Sequence, residues 1–207
     1  MSNKRSKSST LWLNEHHKDI YVQQAKKLKL RSRAHFKLEE IQNKINLIKP
    51  SMSVVDLGAA PGAWSVLASK LVGEQGIVIS CDLLPMQAIK NNIFIQGDFN
   101  DSLIQEKIAQ HCSTIDIILS DIAPNTSGIK SADQLKAIQL AEMVLDFSLK
   151  NLATDGSLLI KLFHGQGFDD FIQATKLNFK HTKVFKPLAS RNRSSECYLL
   201  ASCLKNK

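Results

Sequence analysis

Apolar residues recur along the chain in short β-branched runs, which are separated by segments with helical periodicity. Short runs of this kind predict buried strands, and apolar residues at spacings of three and four predict helices. The predicted strands cover Ser53–Leu57, Gly76–Asp82, Ile93–Ile95, Ile115–Ser120, Ser157–Phe163, Lys180–Lys186 and Cys197–Leu204. The predicted helices begin at Ser32, Ala63, Ser102, Ala132 and Phe168, and end before Pro50 and at Leu71, Gln110, Leu152 and Leu177.

The order of these elements predicts an α/β fold. The first five strands are apolar and are joined through helices, which is typical of parallel strands covered on both faces. The last two strands are joined by the segment from Pro187 to Ser195, which is too short for a helical crossover. They are therefore expected to be antiparallel. The sequence predicts a doubly wound, mostly parallel sheet with an antiparallel strand at one end.

The length and composition favour one globular domain. The chain has 207 residues, of which 43% are hydrophobic and 22% charged, and this excludes a disordered protein. We expect a basic N-terminal extension over residues 1–30 and a single domain over residues 31–207. No apolar run approaches the ~18 residues of a membrane span, and the polar N-terminus carries no secretory signal. The four cysteines form no C-x-x-C pair, so free thiols, a cytoplasmic location and no metal site are expected.

Basic residues are concentrated at the two ends of the chain. Residues 1–37 hold ten Lys and Arg against two Asp and Glu, and residues 171–207 hold eight against one. The central residues 38–170 are acidic, with sixteen Asp and Glu against nine Lys and Arg. Such dense positive charge favours a polyanionic partner, and nucleic acid fits it better than an anionic membrane because the basic N-terminal stretch lacks an apolar face.

A glycine-containing loop over Asp56–Gly62 follows the first predicted strand. Gly58 and Gly62 permit a tight turn and close approach of a ligand, and open α/β sheets bind ligands at this edge. The spacing of the two glycines, with Pro61 between them, fits the three-glycine pattern of nicotinamide dinucleotide proteins poorly. Asp56 suits a cationic ligand such as S-adenosylmethionine, which carries a sulfonium and no phosphate. Asp82 and Asp98 end the next two strands and could accept hydrogen bonds from a ribose and an adenine amino group.

Seven short segments occur in a characteristic order along the chain. They are Arg31–Leu38, Asp56–Ser65, Cys81–Pro85, Gln96–Asp98, Ser120–Asn125, Ile160–Phe163 and Ser194–Glu196. Together they resemble the FtsJ (RrmJ) family of S-adenosylmethionine-dependent ribose 2′-O-methyltransferases, over essentially Lys4 to Leu204. The resemblance implies a Rossmann-like methyltransferase fold with a seven-stranded sheet, S-adenosylmethionine as cofactor, and a uridine of large-subunit (23S) ribosomal RNA as target.

The resemblance also implies which residues form the site. It maps a catalytic tetrad onto Lys37, Asp121, Lys161 and Glu196, with Lys161 as the proton acceptor. Ala63 stands where related sequences often carry a second glycine, so the backbone of the loop is expected to have slightly less conformational freedom. Cofactor contacts are expected from Gly58, Gly62, Trp64, Asp82, Asp98 and Asp121.

The setting of Lys161 supports this role independently of the resemblance. A ribose hydroxyl is a poor nucleophile while neutral, so the enzyme must align the attack and manage one proton. Lys161 lies in an apolar strand, where burial and a second cation at Lys37 would favour the neutral amine. It could then accept the proton, or as an ammonium stabilise the developing alkoxide. Asp121 and Glu196 would orient the two lysines.

Two other functions remain open from the sequence alone. One is a non-catalytic RNA-binding or ribosome-assembly protein on a methyltransferase-like fold, which would need no buried lysine with acidic partners. The other is a nicotinamide-dependent oxidoreductase, which the loop spacing disfavours. The expected partner is ribosomal RNA or the large ribosomal subunit. We expect a monomer, with no membrane association and no obligate protein partner.

Overall fold

The computed structural model describes residues 19–125, 127–191 and 193–205, and within them the α/β prediction is confirmed. The helices are α1 Ile20–Lys27, α2 His35–Ile45, α3 Ala63–Val72, α4 Ser102–Gln110, α5 Lys130–Asn151 and α6 Phe168–Asn178. The strands are β1 Ser53–Leu57, β2 Ile77–Asp82, β3 Asn92–Gln96, β4 Ile115–Ser120, β5 Leu152–Phe163, β6 Phe179–Phe185 and β7 Glu196–Leu204.

The seven strands form one sheet in the order β3-β2-β1-β4-β5-β7-β6. Strands β1 to β5 are parallel, and β7 runs antiparallel to both β5 and β6. The chain moves outward from β1 through β2 to β3 and then returns to place β4 on the other side of β1. Open sheets of this kind bind ligands at the carboxyl edge near such a reversal of strand order. The site is therefore expected beyond the carboxyl ends of β1 and β4.

Apolar side chains fill both faces of the sheet. Neighbouring residues of β1 point to opposite faces, so Val54 packs with Leu38 and Trp64, whereas Val55 packs with Val144 and other residues of α5. Burial on both faces explains why the central strands are continuous β-branched runs, since neither face needs polar residues.

Two predicted boundaries are wrong. The helix predicted from Ser32 begins at His35, because residues 32–34 form a turn in which the Ser32 hydroxyl accepts from the Ala34 N–H. Strand β5 begins at Leu152 instead of Ser157, where the sequence predicts the end of a helix. Leu152 is fully buried and pairs with Ile115 of β4 across an irregularity in the strand pairing. That pairing extends β5 through residues whose local preference is for a turn.

The described part of the expected N-terminal extension, residues 19–30, packs on the domain. Asp19 caps α1 by accepting hydrogen bonds from the backbone N–H groups of Tyr21 and Val22. The same carboxylate forms an ion pair with Arg33 and lies 3.7 Å from Arg191. The N-terminal and C-terminal basic regions thereby meet. From Leu11 onward the sequence also has the pattern of a polar helix. The part of this segment up to residue 18 lies outside the described residues.

Candidate active site

A cavity of about 470 Å³ lies at the carboxyl ends of β1 to β4. Its position is the one that the reversal of strand order leads us to expect. It brings together four of the residues singled out from the sequence, which are Gly58, Asp82, Asp98 and Asp121. Side chains from α5 and from the loops after β2 and β4 complete the walls, including Leu83, Leu84, Pro124 and Leu140.

The loop between β1 and α3 requires glycine at two positions. Gly58 and Gly62 have φ angles of +74° and +97°, which L-residues with a side chain rarely adopt. A Cβ atom at Gly58 would lie 2.7 Å from the Ile122 side chain, so the backbone there is tightly packed. A Cβ atom at Gly62 would lie 2.5 Å from the Arg31 guanidinium. Gly62 thus shapes the loop, although it is not among the residues that line the cavity.

Arg31 is a structural part of this loop. Its guanidinium donates hydrogen bonds to the carbonyl oxygens of Pro61, Gln87 and Ala88, at 2.9–3.0 Å. Arg33 likewise donates to Asp19 and to the carbonyl of Ala189. Both arginines therefore have partners within the chain. A charge reversal at Arg31 would disturb the loop between β1 and α3.

Asp82 and Asp98 present carboxylates to the cavity in different ways. Asp82 accepts the Ala60 N–H at one oxygen and the Leu84 N–H at the other, both at 2.8 Å. Each oxygen keeps a lone pair, so the fixed carboxylate can still accept two hydroxyls. Asp98 is exposed, and its Oδ1 accepts from the backbone and side chain of Asn100, which leaves Oδ2 toward solvent.

Asp56 is fully buried beside a small cavity of about 20 Å³ next to the main one. Its Oδ2 accepts the Ser65 hydroxyl at 2.5 Å, whereas Oδ1 is buried with no hydrogen-bond partner. Burial raises the pKa of Asp56 to about 7, and the nearby carboxylates of Asp121 and Asp82 add to the effect. A carboxylate with an unpartnered oxygen favours a positively charged group at this end of the cavity.

Trp64 belongs mainly to the core. It is 2% exposed, its Nε1 donates to the Ala34 carbonyl at 2.8 Å, and its ring lies 5.5 Å from the ring of Tyr198. It also lines the small cavity beside Asp56. Any contact between Trp64 and a cofactor would therefore be made by one edge of a side chain that packing already holds in place.

The raised pKa of Asp56 predicts a pH-dependent stability. A pKa raised from 3.8 to about 7 means that the stabilising contribution is full below pH 4 and is lost as the pH rises through 7. Asp56→Asn removes this dependence and keeps an acceptor for Ser65. We expect the variant to gain about 2 kcal/mol over the wild type between pH 5 and pH 8, in denaturant unfolding without cofactor. An equal stability difference at both pH values would contradict the assignment.

The four residues of the expected tetrad lie together, with Asp121 in the cavity wall, and are linked through a fifth residue. Lys161 Nζ donates to the backbone carbonyl of Asp121 and lies 3.2 Å from its Oδ1. Tyr198 donates its hydroxyl to the same Oδ1 at 2.7 Å and accepts from Lys37 Nζ at 3.0 Å. Lys37 Nζ lies 2.7 Å from Oε1 of Glu196. Two cations and two anions thus alternate around one phenol.

Opposite charges dominate the electrostatics of this cluster. Burial alone would raise the pKa of Asp121, but the charges of Lys161 and Lys37, together with the hydrogen bond from Tyr198, lower it below its usual value. Burial, and then the negative charges of Asp121 and Glu196, raise the pKa of Tyr198 well above 10. The phenol is therefore neutral at physiological pH and can both donate and accept a hydrogen bond.

Tyr198 is the residue of this cluster that sequence reasoning missed. It is fully buried and lies directly opposite Lys161 in the antiparallel pairing of β5 with β7. It also lies two residues after Glu196, so both side chains point to the same face of β7. The alternation of side chains along β7 indicates that Tyr198 and Glu196 share a face. Only the pairing of β7 with β5, however, makes Tyr198 a neighbour of Lys161.

A second cavity of about 480 Å³ opens on the other side of Lys37 and Glu196. Its walls include Arg33 from the N-terminal region, together with Arg191 and Arg193 from the C-terminal region. Described residues of the two basic regions thus line one cavity beside Lys37 and Glu196. A cavity bordered by several guanidinium and ammonium groups suits phosphate groups.

Two further observations concern metals and membranes. In the described part of the chain no group of three or more His, Cys, Asp or Glu residues is arranged to hold a metal ion. Within residues 19–125, 127–191 and 193–205 no helix combines the length and the apolar character that a membrane crossing requires.

Comparison with known proteins agrees with this geometry. Residues 30–203 match the model of the FtsJ-like methyltransferase family. A solved structure from Plasmodium falciparum, designated a ribosomal RNA methyltransferase, is 27% identical with a TM-score of 0.75, and the match covers 84% of this chain and 98% of that chain. A structure from Clostridium thermocellum, designated an rRNA methylase, is 16% identical with a TM-score of 0.57 and coverages of 80% and 96%. The second similarity shows the fold alone.

Proposed function

The chain belongs to the FtsJ-like methyltransferase family, and from this premise we propose that it methylates a ribose 2′-hydroxyl of large-subunit (23S) ribosomal RNA, with a uridine as the target. The methyl donor in this proposal is S-adenosylmethionine. The observation that carries the proposal is the cluster of Lys161, Asp121, Tyr198, Lys37 and Glu196. This cluster lies between the cavity at the carboxyl ends of β1 to β4, here called the cofactor cavity, and the second cavity bordered by arginines, here called the basic cavity.

The carboxylates that line the larger cavity and the small one beside Asp56 suit the positive charge of S-adenosylmethionine. Asp82 would accept hydrogen bonds from the ribose hydroxyls, and Asp98 would receive the adenine amino group. The unpartnered oxygen of Asp56 and the carboxylate of Asp121 would face the positively charged amino acid end. When bound, the cofactor supplies a methyl group that its sulfonium has already activated for attack.

The chain's own residues would align the nucleophile and move one proton. Asp121 lines the cofactor cavity and fixes the Nζ atom of Lys161 beside it. Lys161 would then accept the proton of the 2′-hydroxyl at Nζ, while the ammonium of Lys37 stabilises the negative charge on the attacking oxygen.

The RNA partner is inferred from charge and from similarity. The basic cavity adjoins Lys37, so phosphates of a bound RNA would place a ribose near the tetrad. The Plasmodium falciparum structure, whose sequence is 27% identical, is designated a ribosomal RNA methyltransferase. The proposal accordingly includes ribosomal RNA or the large subunit as partner, a cytoplasmic location and a monomeric state.

The test is to map the methyl groups that the protein adds. Purified protein with labelled S-adenosylmethionine is incubated with naked ribosomal RNA, free large subunits and assembled ribosomes. We expect label at one ribose of the large-subunit RNA, and no label in RNA that carries 2′-deoxyribose at that nucleotide. Methylation of the deoxy substrate, or of a base, would contradict ribose specificity. Tight RNA binding without transfer would instead support the non-catalytic alternative.

A further inference from the structure

A third cavity, of about 330 Å³, opens beside the tetrad and has no part in the chemistry described so far. Its volume lies at the small end of ligand sites, which range over ~300–1,000 Å³. Apolar groups contribute much of its wall, and polar side chains stand at one side. The lining residues are Ala123, Pro124, Gly128, Lys130, Asp133, Gln134, Ala137, Phe163 and Ser195.

This apolar cavity borders both cavities already described. Ala123 and Pro124 line it together with the cofactor cavity. Ser195 lines it, whereas its neighbours Ser194 and Glu196 line the basic cavity. The apolar cavity therefore lies next to each of the other two cavities.

Phe163 provides the aromatic wall of the apolar cavity. It lies opposite Glu196 in the pairing of β5 with β7, and two residues after Lys161 on the same face of β5. The Nζ atom of Lys161 is 5.9 Å from the centroid of the Phe163 ring. The ring is only partly buried, so a flat group that enters beside Lys161 can stack on it.

Two of the polar residues that line this cavity, Asp133 and Gln134, differ in how fully their hydrogen-bonding groups are used. The Asp133 carboxylate accepts from the backbone N–H and hydroxyl of Ser127 at 2.7 Å and from the Gly128 N–H at 3.1 Å. Asp133 thereby fixes the backbone of this wall, and these hydrogen bonds already stabilise its negative charge. Gln134 makes only a long contact of 3.4 Å to the His164 carbonyl, so its carboxamide can still donate and accept.

We propose that the apolar cavity receives the base of the target nucleotide, turned out of its stack, with Phe163 as the stacking surface and Gln134 as a hydrogen-bonding partner of the base edge. The inference rests on the proposed ribose methylation. A ribose at Lys161 carries two kinds of substituent, anionic phosphates and a flat, uncharged base. The phosphates suit the basic cavity, and the base suits a small apolar cavity with an aromatic ring.

The test measures RNA affinity with S-adenosylhomocysteine present, so it does not depend on turnover. The probes are two fluorescent large-subunit RNA fragments around the mapped nucleotide, one intact and one with an abasic ribose there. Phe163→Leu keeps apolar volume in the half-buried position and removes the aromatic plane. Base stacking contributes roughly 1–3 kcal/mol by alanine substitution, and leucine retains part of it, so we expect about fivefold weaker binding of the intact fragment. The abasic fragment should bind wild type and variant equally, within a factor of two.

A matched control separates this effect from general damage. Leu135→Ala changes an apolar residue that is 59% exposed on α5 and does not line the cavity. It should leave the affinity of both fragments unchanged. Equal weakening of both fragments by Phe163→Leu, or no weakening of either, would overturn the base site. Methylation of the expected ribose by the wild type in a parallel assay with S-adenosylmethionine would show that only this inference has failed, whereas no ribose methylation in that parallel assay would refute the proposed function itself.

Discussion

Lys161→Ala is expected to lower kcat by at least ~10²–10⁴-fold, the range that general acid–base catalysis typically supplies. Lys161 is 9% exposed and its Nζ atom is held by Asp121, which lines the cavity proposed for the cofactor. No other described lysine is held by this carboxylate, since Lys37 reaches it only through the Tyr198 hydroxyl. Lys161 contributes in the transition state, so its removal should change substrate and cofactor binding little.

Removal of one partner of a buried ion pair also destabilises a protein, so a second variant is needed. Lys161→Arg keeps a positive charge beside Asp121 and should preserve the fold and cofactor binding. It should still be inactive, because a guanidinium does not give up its proton near neutral pH. Lys70→Ala, at an exposed lysine of α3, is the matched control and should retain full activity. Single-turnover methylation assays with thermal melting measure both effects, and near-normal turnover by either Lys161 variant would refute the mechanism.

Asp82→Ala is expected to weaken S-adenosylmethionine binding about 10–100-fold. The variant removes the acceptor for the ribose hydroxyls, and hydrogen bonds to a charged acceptor contribute about 1.5–3 kcal/mol. It also frees the backbone N–H groups of Ala60 and Leu84, which Asp82 holds in the cofactor cavity wall. Asp82→Asn, which keeps one acceptor oxygen, should lie between wild type and alanine.

Isothermal calorimetry with S-adenosylmethionine measures this loss directly. Asp101→Ala is the matched control, because Asp101 caps α4 through the Leu103 N–H and lies outside the lining of the cofactor cavity. The control should lose about 1 kcal/mol of stability, as helix caps do, and bind the cofactor normally. Unchanged affinity in Asp82→Ala would remove Asp82 from the proposed site.

The position of the candidate site was largely predictable because its signals lie in local sequence. The run that forms β1 and the loop with Gly58 and Gly62 identify a ligand site at a strand end, since strand propensity and glycine's freedom at positive φ are local properties. The tetrad was predictable only through the order of seven motifs. Taken one at a time, Lys37 or Glu196 is an ordinary charged residue.

Contacts between distant segments decided what the sequence could not. Tyr198 becomes the centre of the tetrad because β7 lies between β5 and β6 and pairs antiparallel with β5. Arg31 fixes the loop between β1 and α3, because three carbonyl oxygens from two other segments converge on it. The β5 strand begins at Leu152 because pairing with β4 overrides a local turn signal. Periodicity and propensity report on neighbours in sequence, whereas these three features depend on strand order and register, which only the tertiary structure sets.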